Sequence, residues 1–231
     1  MISVIIPAYN EEAHIKITIQ RLWDNDKQNL ILEIIVCDGG SVDNTIAIAQ
    51  SVGVAVIQSP KGRAKQMNAG ASIAQCAILY FFHADSIPPQ RFTTHILDAY
   101  KAGATSGCFR LAFDYDHWFL KTNVWFTRFN VNAVRFGDQS LFVTKNVFQM
   151  AGGFREDLLM MEDQEIIHRI KKHGKFKVMN YYVITSARKY LDNGILRMQG
   201  IFYRIWAMYY LGYSQQEMLK VHRRLIRKHK L

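Results

Sequence analysis

An α/β fold built on a Rossmann-like, largely parallel sheet is predicted by three features of this 231-residue sequence. Two segments, Ile2-Ser-Val-Ile-Ile-Pro-Ala-Tyr-Asn-Glu-Glu12 and Val36-Cys-Asp-Gly-Gly-Ser-Val-Asp-Asn-Thr45, each run a short apolar, β-branched stretch into a polar turn and then a helical pattern. Strand-like and helix-like patterns go on alternating through the first half, which is the mark of a parallel sheet covered on both faces. Polar and charged residues gather where the strand patterns end, and such sheets bind ligands at the carboxyl ends of their strands.

Taken in order, strands are expected near 2–6, 31–37, 54–58, 76–82, 105–113 and 139–144, with helices near 11–25, 43–52, 63–75 and 89–102. The stretch 116–136 is rich in aromatics and has no clear period. A helix is expected over 162–173, where Ile166, Ile167 and Ile170 recur at helical spacing and His173-Gly174 signals an end. A strand near 176–185 and helices near 193–211 and 214–229 complete the pattern. The expected division is 1–190, with a nucleotide-binding half to about 110 and an acceptor-side half over 111–190, followed by a helical extension with a basic tail over 191–231.

This length holds one sizeable α/β unit with helical additions. Apolar residues make up 49% of the chain and no Pro/Gly/Ser-rich tract interrupts them, which argues against disorder. The amino terminus lacks a basic start and its apolar run stops at Pro7, so no signal peptide is expected. No run is long and uncharged enough for a membrane span, and a cytoplasmic protein is expected. Cys37, Cys76 and Cys108 sit far apart in apolar runs and read as buried thiols rather than a disulfide or zinc site. The net charge of +10 points to an anionic partner. Lys220, Arg223, Arg224, Arg227, Lys228 and Lys230 follow the last acidic residue, Glu217, and read either as a solvated helix end or as a contact with anionic lipid headgroups at the inner face of the membrane. Nucleic acid is not the expected partner.

Several residues carry chemistry. Asp38 ends the second strand before Gly39-Gly40, where a carboxylate can accept the imide N–H of a uracil or related base edge; the alternative is capping of the next helix. For Asp43-Asn44-Thr45 capping is the better reading. Tyr9 closes the first strand and can stack on a base or simply pack. In Lys61-Gly-Arg-Ala-Lys-Gln-Met-Asn-Ala-Gly-Ala71, cations meet a helix start that suits a diphosphate, with Arg63 the direct contact and Asn68, Gly70 and Ala71 allowing close packing beside it. The nearly all-apolar fourth strand ends in His83-Ala-Asp85, so that Asp85, with His83 assisting, would hold Mg²⁺ or Mn²⁺ against phosphates; a turn-forming Asp85 before Pro88-Pro89 is the rival. Glu162 and Asp163 open the later helix at its positive end, where an ionised carboxylate can take a proton from a hydroxyl, although acidic first turns are common. Arg188 follows the last strand and either folds over a diphosphate or is a surface cation.

In this order the pieces resemble the family 2 glycosyltransferases of the GT-A fold, over roughly residues 1–185. The resemblance rests on Val4-Ile-Ile-Pro-Ala-Tyr-Asn-Glu11, Val36-Cys-Asp-Gly-Gly-Ser-Val-Asp43, Gly62-Arg-Ala-Lys-Gln-Met-Asn-Ala-Gly70, His83-Ala-Asp85, Gly152-Gly-Phe154 and Glu162-Asp163. It implies a nucleotide-diphosphate sugar donor, a UDP-sugar being favoured, with Pro7, Tyr9, Glu11, Asp38, Arg63, Asn68 and Arg188 around the nucleotide. It further implies a divalent metal at Asp85 and His83, Asp163 or its neighbour Glu162 as general base, and inversion at the anomeric carbon. Where the family's metal motif commonly has a second acid, this chain has His83, and the Gln-x-x-Arg-Trp signature of processive synthases is absent at Gln199. The acceptor is an unknown hydroxyl compound, a lipid-linked one being compatible with the basic tail. The aromatics of 114–137, and Gly137-Asp138-Gln139 after them, read as core or as an acceptor wall. A nucleotidyltransferase would carry its glycine-rich loop after the first strand, where this chain has Pro-Ala-Tyr-Asn-Glu, and a nucleic-acid-binding module is the non-enzymatic rival.

Overall fold

The computed structural model describes residues 1–135 and 139–228. Its centre is an eight-stranded sheet, flanked by helices. The strands are β1 (Ile2–Ala8), β2 (Ile31–Asp38), β3 (Ala55–Gln58), β4 (Ile78–Phe81), β5 (Ser86–Ile87), β6 (Ser106–Phe113), β7 (Leu141–Thr144) and β8 (Phe176–Thr185), in the order β3-β2-β1-β4-β7-β6-β8-β5. The first four run parallel, as the alternating pattern predicts, and β7 then enters antiparallel to β4. β6 pairs parallel with β8, and the two-residue β5 pairs antiparallel with the end of β8.

Parallel strands covered on both faces must be apolar on both, and β1 and β4 are buried almost throughout. One face packs Ile2, Val4 and Ile6 against α1 (Ile15–Asn25) and α4 (Phe92–Lys101), with α2 (Thr45–Ser51) at its margin. The other packs Ile5, Ile35 and Cys37 against α3 (Arg63–Ile73), α6 (Lys145–Met150) and α7 (Glu162–Ile170). On α1 the buried positions Ile15, Thr18, Ile19 and Leu22 show the spacing of a one-sided helix. Gly70 lets α3 approach the sheet: a β-carbon there would stand 2.5 Å from Ile5 Cγ2 and 2.6 Å from Cys37 Sγ.

Several elements depart from the expected pattern. The regular helix after β1 starts at Ile15 rather than near residue 11, although Glu11 O already accepts from Ile15 N at 2.9 Å; the N–H groups of Glu11 and Glu12, which a helix start leaves free, are held by Thr45 and Asp43. The aromatic stretch forms α5 (Trp118–Trp125) and two short 3₁₀ turns, Phe126–Arg128 and Asn132–Val134. α6 and β5 were not apparent from periodicity, being too short to show one. The helix expected near 193–211 is α9 (Ile195–Tyr210), and Gly194, at φ 87°, separates it from an additional short helix, α8 (Arg188–Asn193). α10 (Gln215–Leu225) follows, opened by a capping box between Ser214 and Glu217. These helices and α5 share a third apolar cluster that includes Leu120, Met198, Ile201, Ile205 and Met218. Among the described residues no helix is long and apolar enough to cross a membrane.

Candidate active site

The loops leaving β1 and β2 are tied into one wall. Asn10, in the left-handed region at φ 54°, donates its backbone N–H to Ser41 Oγ, and its side-chain carbonyl accepts from Val42 N, both at 2.9 Å. Glu11 N donates to Thr45 Oγ1 at 2.8 Å, and the Glu12 carboxylate accepts from Asn44 N at 3.0 Å. Asp43 caps its own turn, accepting from Thr45 N at 3.0 Å. Behind the wall, buried Gln66 donates to the carbonyls of Ala8 and Cys37 at 2.7 and 2.8 Å, satisfying the ends of both strands.

Asp38 is fully buried at the carboxyl end of β2, in register with Ala8. One carboxylate oxygen accepts from Gly40 N and Ser41 N at 2.8 and 2.9 Å, while the other, Oδ1, is buried without a partner. A buried, partnerless carboxylate oxygen is costly and is the kind of vacancy a ligand N–H fills. Pro7 lies half-buried on β1 opposite Cys37. Tyr9 is exposed at the rim, with the Lys61 ammonium 3.9 Å from its ring centroid.

Glu11, Asp85 and Arg188 meet across the same edge. Glu11 is pushed up to about 7, chiefly by burial and then by the Asp85 charge, with Arg188 and Lys189 opposing. Its Oε2 is buried and unpartnered, as is Arg188 Nε. Arg188 Nη1 stands 3.0 Å from His14 Nε2, which holds the guanidinium over the loop after β1. Among the described residues no three His, Cys, Asp or Glu side chains group closely enough to form a metal centre. A hard cation shared with a diphosphate needs only one or two protein carboxylates, and Asp85 with Glu11, whose charges act on each other, fits that requirement.

At the other end of the cleft two helix amino termini converge. α3 begins at Arg63, whose Nη1 lies 3.2 Å from Glu162 Oε1 at the start of α7. Glu162 is buried by this pairing, whereas Asp163 borders a hollow also lined by Arg63, Met67, His83, Phe154 and Ile167. Met161, just before the pair, is in the left-handed region at φ 66°, a conformation costly for a non-glycine residue and typical of functional sites. Tyr210 Oη donates to Gln164 Oε1 at 3.1 Å, so α9 lies against the same helix start.

His83 and Asp85 therefore link two groups of the expected residues: Tyr9, Glu11, Asp38 and Arg188 on one side, Arg63, Glu162 and Asp163 on the other. Asn68 has a different neighbourhood, since its amide accepts from Phe154 N and donates to Phe154 O, both at 2.9 Å, and so fixes the Gly152-Gly153-Phe154 turn. Gln66, Lys61, His14 and Tyr210 were not singled out by sequence reasoning. Gln66 was legible in retrospect, one helical turn from Gly70 and hence on the sheet face of α3. Gly137 and Asp138 lie outside the described residues, and Gln139 is buried with Nε2 donating to Phe109 O at 3.1 Å.

The glycosyl transferase family 2 profile matches residues 3–159. The chain belongs to that family. No curated protein matches it by sequence. Among solved structures it is similar to a mannosyltransferase from Pyrobaculum calidifontis, in complex with GDP-Man and Mn²⁺, at 17% identity and a TM-score of 0.70, covering 99% of this chain and 65% of that one. It is similar to S. aureus TarS, residues 1–349, at 15% identity and a TM-score of 0.66, over 95% and 68% of the two chains. A third likeness is to glucosyl-3-phosphoglycerate synthase from Mycobacterium tuberculosis, in complex with Mn²⁺, UDP and glucosyl-3-phosphoglycerate, at 17% identity and a TM-score of 0.61, over 93% and 81%. This family 2 chain has the GT-A fold, and it spans about two thirds of the first two of these proteins.

Proposed function

We propose that this family 2 glycosyltransferase moves a sugar, with inversion, from a nucleotide-diphosphate donor of the UDP-sugar class to a hydroxyl acceptor. Residues 1–190 would carry the machinery and 191–231 form a helical extension. The observation that carries the donor reading is the buried, partnerless Oδ1 of Asp38 at the carboxyl edge of the parallel strands, beside the wall that Tyr9 and Asn10 help to build. A uracil imide N–H would complete its hydrogen bonding, Tyr9 would stack on the base once Lys61 swings aside, and Pro7 would shape the strand end beneath. Glu11 would face the ribose and phosphate side, with Arg188 over the diphosphate. A divalent ion, held by Asp85 with Glu11 and with His83 beside them, would when bound neutralise charge on the diphosphate.

Of the two acids at the start of α7, Asp163 is the general base in this reading because it lines the hollow with Arg63, His83 and Phe154, whereas Glu162 is buried beside Arg63. It takes the proton of the acceptor hydroxyl as that oxygen bonds to the anomeric carbon and the bond from that carbon to the diphosphate oxygen breaks. The leaving nucleoside diphosphate carries away the electron pair. Arg63 reaches this reaction through Glu162, which it holds in place, and through its positive charge at the cleft. Asn68 acts by fixing the Phe154 turn that walls the hollow.

A thermal-shift series tests the base reading. UDP and UDP-sugars with Mn²⁺ should raise the unfolding temperature, whereas CDP, whose base lacks the imide N–H, should raise it far less. Asp38→Asn can still accept from Gly40 and Ser41 with its one oxygen but then turns an amide N–H toward the base, and it should weaken UDP binding by about ten- to a hundredfold. Equal shifts with UDP and CDP would refute the assignment of Asp38.

A further inference from the structure

The helical layer at the carboxyl end carries more apolar surface than its own core uses. On α9 one stripe, Met198, Ile201, Ile205 and Met208, is buried. A second stripe of Leu196, Tyr203 and Tyr210, at seven-residue spacing, faces outward with 65%, 53% and 51% exposure. A helix apolar on two faces is incompletely covered when only one of them meets protein. The stripe continues onto α5, because Tyr203 Oη donates to Asn123 Oδ1 at 2.8 Å. There Trp125, Phe126 and Phe129 stand exposed with their rings in edge contact, Trp125 lying 5.2 Å from Phe126 and 5.1 Å from Phe129, and the Arg128 guanidinium 4.4 Å over the Trp125 ring.

Charge on this layer is one-sided. Residues 188–228 hold nine Lys and Arg against two Asp and Glu, a net of +7 out of the chain's +10, and no acid lies between Asp192 and Glu217. Arg197 and Arg204 each follow a member of the exposed stripe by one residue. Exposed Trp, Tyr and Phe beside unopposed cations, on helices too short to span, match the headgroup region of an anionic bilayer in both polarity and charge. A protein partner would have to supply a complementary acidic rim, whereas an anionic lipid surface supplies that charge everywhere.

The same surface borders the cleft. Tyr210 of α9 bonds to the Gln164 side chain, and Asn132, after α5, donates to Gln164 O at 3.0 Å. Both therefore rest on the residue that follows Asp163. We infer that α5 and α9 form a docking surface for anionic membranes, holding the acceptor side of the cleft against the lipid so that a membrane-borne hydroxyl reaches Asp163. The acceptor half of this inference rests on the transferase reading; the docking half stands without it.

The test is co-sedimentation of the full chain with phosphatidylcholine vesicles, with and without phosphatidylglycerol, in parallel with UDP-induced thermal shift. Binding should require the anionic lipid, weaken with salt, and fall about tenfold or more in Trp125→Ser/Phe126→Ser and in Arg197→Gln/Arg204→Gln. Both double variants should keep the UDP shift, which shows that they fold. No binding to anionic vesicles overturns the inference, as does binding that neither variant weakens. Concentration-dependent dimerisation without vesicle binding, or oligonucleotide binding in its place, also overturns it by giving the surface to another partner. Vesicle binding by a wild-type chain that shows no UDP shift upholds docking and sinks the donor reading beneath it.

Discussion

Along β1, β2 and β4 nearly every side chain is buried on both faces, whereas α9 buries one stripe and leaves another in solvent. At the carboxyl edge of the sheet and in the loop after β1, the exceptional atoms are polar: Asp38 Oδ1 and Glu11 Oε2 are buried without partners. The helical layer also buries Trp206 Nε1 and His222 Nδ1 without partners, but its larger surplus is apolar and lies outside. A ligand of defined hydrogen-bonding pattern suits the first kind of surplus, and a fluid apolar surface suits the second. The two regions also respond to pH in opposite senses. Glu11, raised from its ordinary 4.5 to about 7 by burial and then by Asp85, binds its proton more tightly in the folded chain. Its contribution to stability is full below 4.5 and is lost as the pH rises through about 7. His222, buried in α10, is pushed down to about 4 by burial and then by Lys189 and Arg223. Its contribution is full above 6.5 and is lost as the pH falls through about 4.

The largest test of this contrast is chemical. Asp163→Asn should lower turnover by roughly a thousandfold while leaving UDP binding and vesicle binding near wild type, as measured by initial rates and titration calorimetry. Full activity in that variant would move the base to Glu162 despite its pairing with Arg63. Next comes packing. Gly70→Ala places a methyl within 2.6 Å of both Ile5 and Cys37 and should destabilise the chain by about 1–3 kcal/mol in urea unfolding. A neutral result would mean that α3 can shift outward, and the register of the donor wall on Gln66 with it. The smallest effects are the pH responses. Glu11→Gln should flatten the loss of thermal stability between pH 4.5 and about 7, and His222→Gln the loss between pH 6.5 and about 4, each leaving the other limb unchanged. A single variant that flattened both limbs would show that the two regions do not titrate independently.

Much of the donor half was legible because its signals are local. A β-branched run ending in Asp38-Gly39-Gly40, or in His83-Ala84-Asp85, states both the strand and what stands at its end, and the helix starts at Arg63 and Glu162 were read within one residue. Other features depend on partners distant in the chain. The partner of the Glu11 N–H, Thr45 Oγ1, lies 34 positions away and could not be read locally. Asn68 carries polar groups suited to a phosphate, yet the Phe154 backbone, 86 positions on, occupies them. The aromatic stretch defeated periodicity because α5 turns its rings outward and buries only Leu120.

The amino-acid sequence by itself determined the alternation of strands and helices, the chemistry at each strand end and the basic bias of the tail, since each follows from propensity, period or composition over a few residues. Only the tertiary structure decided that Arg63 pairs with Glu162 while Asp163 lines the hollow, that the charges of Asp85 and Arg188 act on Glu11, and that the exposed faces of α5 and α9 adjoin. Those outcomes depend on which groups satisfy one another across the sheet, and burial enforces that matching only once the chain has closed on itself.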